Sequence, residues 1–379
     1  MLPAHKTDRL SLADILTSCL ASIAGESNRM SLPPVSRAVV VLVDGLGAAA
    51  LRARAGHART LAGALTAASV IDSGFPTTTA AALASLTTGV APGQHGLVGY
   101  SVLDGANDRV VNQLSGWDAR LDPRTWQSVP TVFERASGDG FSAVVIGPAR
   151  YKDSGFSGAV LRGAEYIAGA SIADRFAMAA EWMRAPGPNG IAYLYVPELD
   201  QTGHASGWES PAWTTWLEVL DAEVRAFTTG LGKKHGVLVT ADHGVVDIPL
   251  HAHVLIDEIP GLLDGIRFVA GEPRCLQLHF EVTATAEQRA STVQAWRDSE
   301  ESRAWVVTRD EAIEAGWFGE VSDEVKPRIG DLIVAARKNI AYYDGRPANQ
   351  NGRKMVGQHG SWSPAELQVP LLRFGGFAR

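Results

Sequence analysis

Several features that would point to particular protein classes are scarce or missing in this chain of 379 residues. Cys19 and Cys275 are its only cysteines, so a disulfide framework is excluded as the basis of the fold. Apolar runs stay well short of the roughly 18 residues that cross a membrane. The net charge of −7 also argues against a nucleic-acid scaffold, which usually carries a basic surface.

The N-terminal region lacks the order of a signal peptide. Arg9 and Asp14 interrupt it, and no long apolar segment follows them. We therefore expect a cytoplasmic location without membrane association. The sequence does not predict an oligomeric state.

Short apolar segments alternate with helical patterns along the chain. Strands are predicted at Ala38–Val43, Ala143–Ile146, Ile191–Val196 and Val237–Thr240. Helices are predicted over residues 11–24, 80–86 and 211–228. The nearly unbroken apolar character of the strands is typical of a parallel sheet that is buried on both faces. The pattern predicts an α/β protein with a mostly parallel sheet flanked by helices.

The pattern changes between residues 251 and 330, where apolar and polar residues alternate in Arg274–Phe280 and a helical stretch follows near 286–299. This region is predicted to be a smaller inserted α+β subdomain. Asp331–Ala336 is interpreted as the strand that returns to the core. The core would then comprise residues 1–250 and 331–379.

Potential metal ligands follow three of the four predicted strands, at the strand ends where open α/β sheets usually place their sites. Asp200 and His204 stand four residues apart, so one helical turn would bring both to a single metal ion. Adjacent Asp242 and His243 are costly to bury unless a metal or another partner compensates them. The candidate ligands are Asp44, Asp200, His204, Asp242, His243 and His359. These oxygen and nitrogen donors suit zinc.

A cluster of three threonines, Thr77 to Thr79, precedes the helix predicted at 80–86. A hydroxyl at a helix N-terminus lies beside free backbone N–H groups that stabilise a phosphate. Metal coordination would make such a hydroxyl a nucleophile. The other interpretation is an ordinary helix cap.

Taken in order, these motifs resemble the alkaline phosphatase superfamily, and in particular its nucleotide pyrophosphatase/phosphodiesterase branch. The resemblance spans residues 38–362 and implies an alkaline-phosphatase-like fold. Its matching segments are Leu-Val-Asp-Gly at 42–45, Phe-Pro-Thr-Thr-Thr at 75–79, Thr-Gly at 88–89, His-Gly at 95–96, Asp200 with His204, Asp242-His243-Gly244 and His359-Gly360.

The resemblance implies a site with two Zn²⁺ ions, or with Mn²⁺ or a mixed pair. One ion would be held by Asp200, His204 and His359, and the other by Asp44, Asp242, His243 and Thr79. Thr79 would be the nucleophile, giving a phosphothreonine that a metal-activated water hydrolyses. The branch places an asparagine where this chain has Tyr100, so Tyr100 and the nearby Asn112 are expected to contact a small, nucleotide-like phosphorylated substrate.

Other functions remain open at this point. A phosphomonoesterase on the same scaffold is the main alternative, although it usually needs an additional cation near the phosphate; Arg150 and Lys152 are the nearest candidates. A sulfatase is disfavoured because neither cysteine stands in a Cys-x-Pro-x-Arg context. A non-catalytic metal-stabilised binding protein is disfavoured because all seven expected positions carry competent side chains.

Overall fold

A computed structural model describes residues 2–4 and 9–378. The strands are β1 (Arg37–Val43), β2 (Val70–Asp72), β3 (Ser101–Asp104), β4 (Arg109–Asn112), β5 (Ser142–Gly147), β6 (Glu165–Ala168), β7 (Gly190–Val196), β8 (His235–Thr240), β9 (Val246–Asp247), β10 (His253–Leu255), β11 (Ile266–Glu272), β12 (Cys275–Phe280), β13 (Ala304–Thr308), β14 (Leu332–Ala336), β15 (Ala341–Tyr343), β16 (Gly357–Gln358) and β17 (Gln368–Gly375).

The α-helices are α1 (Ala13–Ala24), α2 (Ala48–Ala53), α3 (Arg59–Ala64), α4 (Thr79–Thr88), α5 (Pro92–His95), α6 (Pro123–Trp126), α7 (Val132–Gly138), α8 (Gly155–Val160), α9 (Ile172–Arg184), α10 (Glu198–Ser206), α11 (Pro211–Thr228), α12 (Ala286–Glu300), α13 (Arg309–Glu314) and α14 (Pro364–Leu367). None of the helices in the described residues combines the length and apolarity needed to cross a membrane.

The large central sheet has the strand order β2-β17-β8-β1-β7-β5-β6. Its strands β8, β1, β7, β5 and β6 run parallel, whereas β17 is antiparallel to β8 and β2. Every residue of β1 is buried, as expected for a central strand covered on both faces. The predicted α/β class, the four predicted strands and the mostly parallel sheet are confirmed.

Two groups of helices flank this sheet and position its functional end. In one group, α1 packs against α4 and α7 and also contacts β1 and β7. In the other, α11 packs against α9 and α10, and α9 contacts β5 and β7. Helix α4, which begins at Thr79, and helix α10, which carries Asp200, are therefore both held against the core.

A second, antiparallel sheet has the order β11-β12-β14-β13. The interpretation of Asp331–Ala336 as a return strand of the core was wrong, because β14 pairs with β12 and β13. Alternate residues of β14 are buried in two apolar clusters: Ile333 and Ala335 join one with Phe75, while Leu332 and Val334 join another with Trp296. The chain re-enters the central sheet at β17. The subdomain boundaries at 250/251 and 330/331 stay a prediction.

Candidate metal and nucleophile site

The first group of predicted ligands meets where β1 and β8 end. These strands are in register, with Leu42 opposite Thr240, so Asp44 and Asp242 follow neighbouring strand ends. His243 Nε2 lies 3.5 Å from both Asp44 Oδ1 and Asp242 Oδ2. Asp44, Asp242 and His243 thus each offer a ligand atom within 4.8 Å of the others.

The second group adjoins the first and combines α10 with the loop after β16. His204 Nε2 lies 3.3 Å from Asp200 Oδ2 and 3.3 Å from His359 Nε2. Asp200, His243 and His359 also bring ligand atoms within 4.8 Å of one another. All six predicted ligands are therefore brought together from four separate segments of the chain.

Backbone carbonyls orient the three imidazoles. The Nδ1 atom of His204 lies 2.7 Å from Gly357 O, and that of His359 lies 2.8 Å from Thr77 O. His243 Nδ1 lies 3.2 Å from the carbonyl oxygen of Gly244. A carbonyl only accepts hydrogen bonds, so each Nδ1 carries the proton and each Nε2 faces the cluster with its lone pair.

The carboxylates of the cluster also fit a cation. Asp44 Oδ1, Asp200 Oδ1 and Asp242 Oδ2 are buried without a hydrogen-bond partner in residues 2–4 and 9–378. Buried carboxylate oxygens without partners are costly unless a cation compensates them. The residues present therefore fit divalent metal ions that accept nitrogen and oxygen ligands.

The electrostatics of the cluster point the same way. Burial, reinforced by Asp242 and Asp200, raises the pKa of Asp44 well above its usual range. Burial likewise raises the pKa of Asp242. Burial, followed by the neighbouring His243 and His204, lowers the pKa of His359 well below its usual range. The carboxyl groups of Asp44 and Asp242 therefore resist ionisation in the protein alone, and a bound cation would favour their ionised form while His359 stays neutral.

Of the three clustered threonines, the structure brings Thr79 to the ligands. Thr79 is the first residue of α4, and its Oγ1 lies 3.2 Å from His243 Nε2. Thr77 has a different role, since its Oγ1 donates to Ser361 O at 2.8 Å and accepts from Gly360 N at 3.0 Å. Thr78 precedes the helix in an extended conformation without capping it through its side chain.

A cavity of about 180 Å³ opens beside these groups. Asp44, Thr79 and Asp200 line it next to the cluster. The rest of its wall is mainly aromatic and aliphatic, and includes Leu83, Tyr151, Phe156, Val160, Leu161, Tyr166 and Tyr195. An uncharged, largely apolar group fits such a wall.

A model of the type I phosphodiesterase/nucleotide pyrophosphatase family matches residues 38–362. The chain belongs to this family. It is therefore a phosphodiesterase/nucleotide pyrophosphatase enzyme, as the order of its motifs suggests. No curated protein sequence matches this phosphodiesterase chain.

Solved structures show the same fold. Murine ectonucleotide pyrophosphatase/phosphodiesterase 5 is 15% identical, with a TM-score of 0.66 over 89% of this chain and 88% of that chain. An inactive variant of the murine protein, with a threonine replaced by alanine, was solved in complex with AMP and matches equally well. The human protein is 14% identical, with a TM-score of 0.66 over 90% of each chain.

The two residues expected to contact substrate in this phosphodiesterase do not line the cavity. Tyr100 is 40% exposed. Asn112 Oδ1 accepts hydrogen bonds from the backbone N–H groups of Leu114 and Ser115, both at 2.9 Å, so it stabilises a turn. Their role in substrate binding stays a prediction.

Sequence reasoning missed Tyr195. Its hydroxyl donates a hydrogen bond to Asp44 Oδ2, and its ring lines the cavity. The register of β7 with β1 places Tyr195 opposite Leu42, two residues before Asp44. The available signal was the Tyr193-Leu194-Tyr195 alternation near the end of a strand, although tyrosine is also a common β-former.

Proposed function

We propose that this enzyme cleaves phosphodiester or pyrophosphate bonds in nucleotide-like substrates, with Thr79 as nucleophile and two zinc ions as cofactors. The observation that carries the proposal is the meeting of three aspartates, three histidines and one threonine hydroxyl in a single cluster. The ligand atoms of Asp44, Asp242 and His243 lie within 4.8 Å of one another, as do those of Asp200, His243 and His359. Thr79 Oγ1 is 3.2 Å from His243 Nε2.

Two sets of residues would hold the ions. Asp200, His204 and His359 form one set, and Asp44, Asp242, His243 and Thr79 form the other. Zinc favours such nitrogen and oxygen donors, and Mn²⁺ or a mixed pair would use the same ligands. When bound, the ions supply positive charge that stabilises the transferring phosphoryl group and lowers the pKa of coordinated hydroxyls.

The chain's own residues supply nucleophile and orientation. Thr79 Oγ1 attacks phosphorus, the bond from phosphorus to the leaving oxygen breaks, and the hydroxyl proton passes to solvent. Water then cleaves the phosphothreonine and restores Thr79. Because Thr79 begins α4, the free N–H groups of the first helical turn lie on the side where the phosphate would bind.

The cavity supports a nucleotide-like diester. Its aromatic and aliphatic wall suits a base or another uncharged ester group, and the residues lining it include no arginine or lysine. The AMP complex of the murine relative, made with an inactive threonine-to-alanine variant, supports the same substrate class and a threonine nucleophile here. Tyr100 and Asn112 remain proposed substrate contacts.

A phosphomonoesterase is the alternative reaction. A monoester carries more negative charge and usually calls for an added cation. The guanidinium of Arg150 lies over the ring of Tyr151, 4.8 Å from its centroid, and both Arg150 and Lys152 are exposed outside the cavity lining. These positions favour the diester. The cytoplasmic location expected from the sequence stays a prediction.

The choice between these reactions is testable with two chromogenic substrates. We expect zinc-reconstituted enzyme to show a much higher kcat/KM for the p-nitrophenyl ester of thymidine monophosphate than for p-nitrophenyl phosphate. A preference for p-nitrophenyl phosphate would contradict the phosphodiesterase proposal and favour the phosphomonoesterase.

A further inference from the structure

The turn between β11 and β12 inserts a charged side chain into the core beneath the metal-ligand cluster. Arg274 and Glu366 are both completely buried. They form a two-pronged ion pair, with Arg274 Nε donating to Glu366 Oε1 at 2.8 Å and Nη2 donating to Oε2 at 2.6 Å. Arg274 Nη1 donates to the carbonyl oxygens of Lys338 and Ile340, each at 2.8 Å. The guanidinium is therefore fixed in one orientation.

Glu366 connects this ion pair to the two loops that carry histidine ligands. Its Oε1 accepts a hydrogen bond from Ser361 N at 3.0 Å, two residues after His359. Its backbone oxygen accepts one from Gly244 N at 2.8 Å, directly after His243. Glu366 thus contacts both of the loops that carry histidine ligands.

Thr77 extends the connection to an imidazole. Thr77 Oγ1 donates to Ser361 O at 2.8 Å, and His359 Nδ1 lies 2.8 Å from Thr77 O. A continuous path of hydrogen bonds therefore leads from Arg274 through Glu366, Ser361 and Thr77 to the ring of His359.

Stability alone gives a weak reason for this arrangement. Burying two charges requires their desolvation, and well-packed apolar residues of similar volume often serve stability equally well. A forked guanidinium–carboxylate pair does fix the direction of each carboxylate oxygen. Here one of the fixed oxygens is Glu366 Oε1, which accepts the hydrogen bond from Ser361 N.

We propose that Arg274 and Glu366 are positioning residues that set the place of His359 and so the affinity of one of the two metal sites. This inference rests on the two-metal site of the proposed function. Replacing residues that orient metal ligands typically lowers metal affinity by roughly 10- to 100-fold. The side-chain pair acts on the site of Asp200, His204 and His359 and should leave the other site nearly unchanged.

The test is a calorimetric zinc titration of metal-free, full-length protein. Glu366→Gln keeps the side-chain volume but removes the negative charge. Arg274→Lys keeps the positive charge but removes the paired hydrogen bonds from Nε and Nη2 to the two oxygens of Glu366. Each variant should lose at least about 10-fold in the affinity of one binding step, and this should be the step that His204→Ala abolishes. If Glu366→Gln does not fold, Arg274→Lys decides the matter.

Glu300→Gln is the matched control. Glu300 is a completely buried carboxylate that accepts hydrogen bonds from Arg303 Nη2 at 2.8 Å and Tyr342 Oη at 2.7 Å, away from the ligand loops. Glu300→Gln should lower the melting temperature of the metal-free protein while both zinc affinities stay unchanged. An equal loss of zinc affinity in this control would overturn the positioning role.

The outcomes separate this inference from the proposed function. Wild-type protein that binds two zinc ions, with unchanged affinities in Glu366→Gln and Arg274→Lys, would overturn the positioning role alone. Wild-type protein that binds no zinc would overturn the two-metal site, and the positioning role with it.

Discussion

At the level of single residues, hydrogen bonds decide which atoms of the cluster are available to bind a metal ion. Carbonyl oxygens lie at hydrogen-bond distance from the Nδ1 atoms of His204 and His359, at 2.7 and 2.8 Å, so their Nε2 atoms face inward. The residue types of the site could be predicted because aspartate and histidine beside glycine at strand ends are unusual. The orientation of the His204 and His359 rings could not be predicted, because it depends on carbonyl groups from distant segments of the chain.

Tyr195 illustrates a contact that determines which oxygen of a ligand is free. Its hydroxyl donates to Asp44 Oδ2, while Asp44 Oδ1 is left facing His243 Nε2 at 3.5 Å. We predict that Tyr195→Phe weakens zinc binding at the Asp44 site by roughly 10-fold, because Oδ2 loses its donor and the carboxylate can rotate. Calorimetric titration of metal-free protein measures the effect.

Tyr193→Phe is the control for this variant. Tyr193 lies two residues earlier on β7, and its buried hydroxyl has no hydrogen-bond partner in the described part of the chain. Its removal should leave zinc affinity unchanged. Equal zinc affinities in the two variants would contradict the role given to Tyr195.

His95 gives a prediction about pH. Burial lowers the pKa of His95 from 6.5 to about 3. Its Nδ1 accepts from Leu97 N at 3.1 Å, so the neutral ring donates from Nε2 to Ser85 Oγ, 3.0 Å away. The stability that depends on this neutral ring is complete above pH 6.5 and is lost as pH falls toward 3, because the unfolded chain binds the proton first.

As pH falls below 6.5, the free energy of unfolding should therefore fall through this group with a slope that approaches about 1.4 kcal/mol per pH unit. In His95→Gln, the free energy of unfolding should fall less steeply with decreasing pH, because this contribution to the slope is absent. Urea denaturation of both proteins at pH 7, 6 and 5 provides the comparison. Parallel curves for the two proteins would rule out this role for His95.

Among the secondary-structure elements, strand ends and helix starts place the functional groups. The in-register ends of β1, β7 and β8 fix Asp44, Asp242 and the start of α10, and α4 begins at Thr79 itself. Apolar runs bounded by glycine made the strands of the central sheet predictable. The same criterion misplaced β14, since a strand buried on both faces has the same sequence pattern in either sheet.

Gly244 shows how closely the elements around the site approach each other. A Cβ atom at this position would lie 2.0 Å from Ala365 O and 2.9 Å from Gly47 Cα. We predict that Gly244→Ala lowers the free energy of unfolding of the metal-free protein by about 1–3 kcal/mol, because backbone atoms must move apart. Urea denaturation measures this loss.

Gly232→Ala provides the matched control, because a Cβ at Gly232 meets no atom within 4 Å. Its effect on stability should be small. Similar losses in the two variants would show that close packing around Gly244 does not determine the effect.

At the scale of the whole molecule, the second sheet packs against segments that carry the metal-ligand cluster. Residues of the second sheet share an apolar cluster with Phe75 and Trp362, which flank Thr77 and His359 in sequence. The α+β subdomain at residues 251–330 stays a prediction from the change in sequence pattern. That pattern did not reveal the contact of the second sheet with Phe75, because this contact joins segments separated by hundreds of residues.

Metal binding should therefore stabilise the entire fold. We predict that zinc at about 100 times its dissociation constant raises the free energy of unfolding by about 2.7 kcal/mol. Asp242→Asn should lose much of this gain and of the enzyme activity, because it removes charge from a ligand. Thermal unfolding at increasing zinc concentrations tests this, and an equal zinc-dependent gain in both proteins would count against Asp242 as a ligand.

The most direct test of the proposed chemistry is the kcat/KM of Thr79→Ala for the p-nitrophenyl ester of thymidine monophosphate, measured together with bound zinc. A threonine nucleophile predicts a loss of roughly 1000-fold or more, with two zinc ions still bound and partial activity in Thr79→Ser. Unchanged turnover in a fully zinc-loaded Thr79→Ala enzyme would contradict the assignment of Thr79.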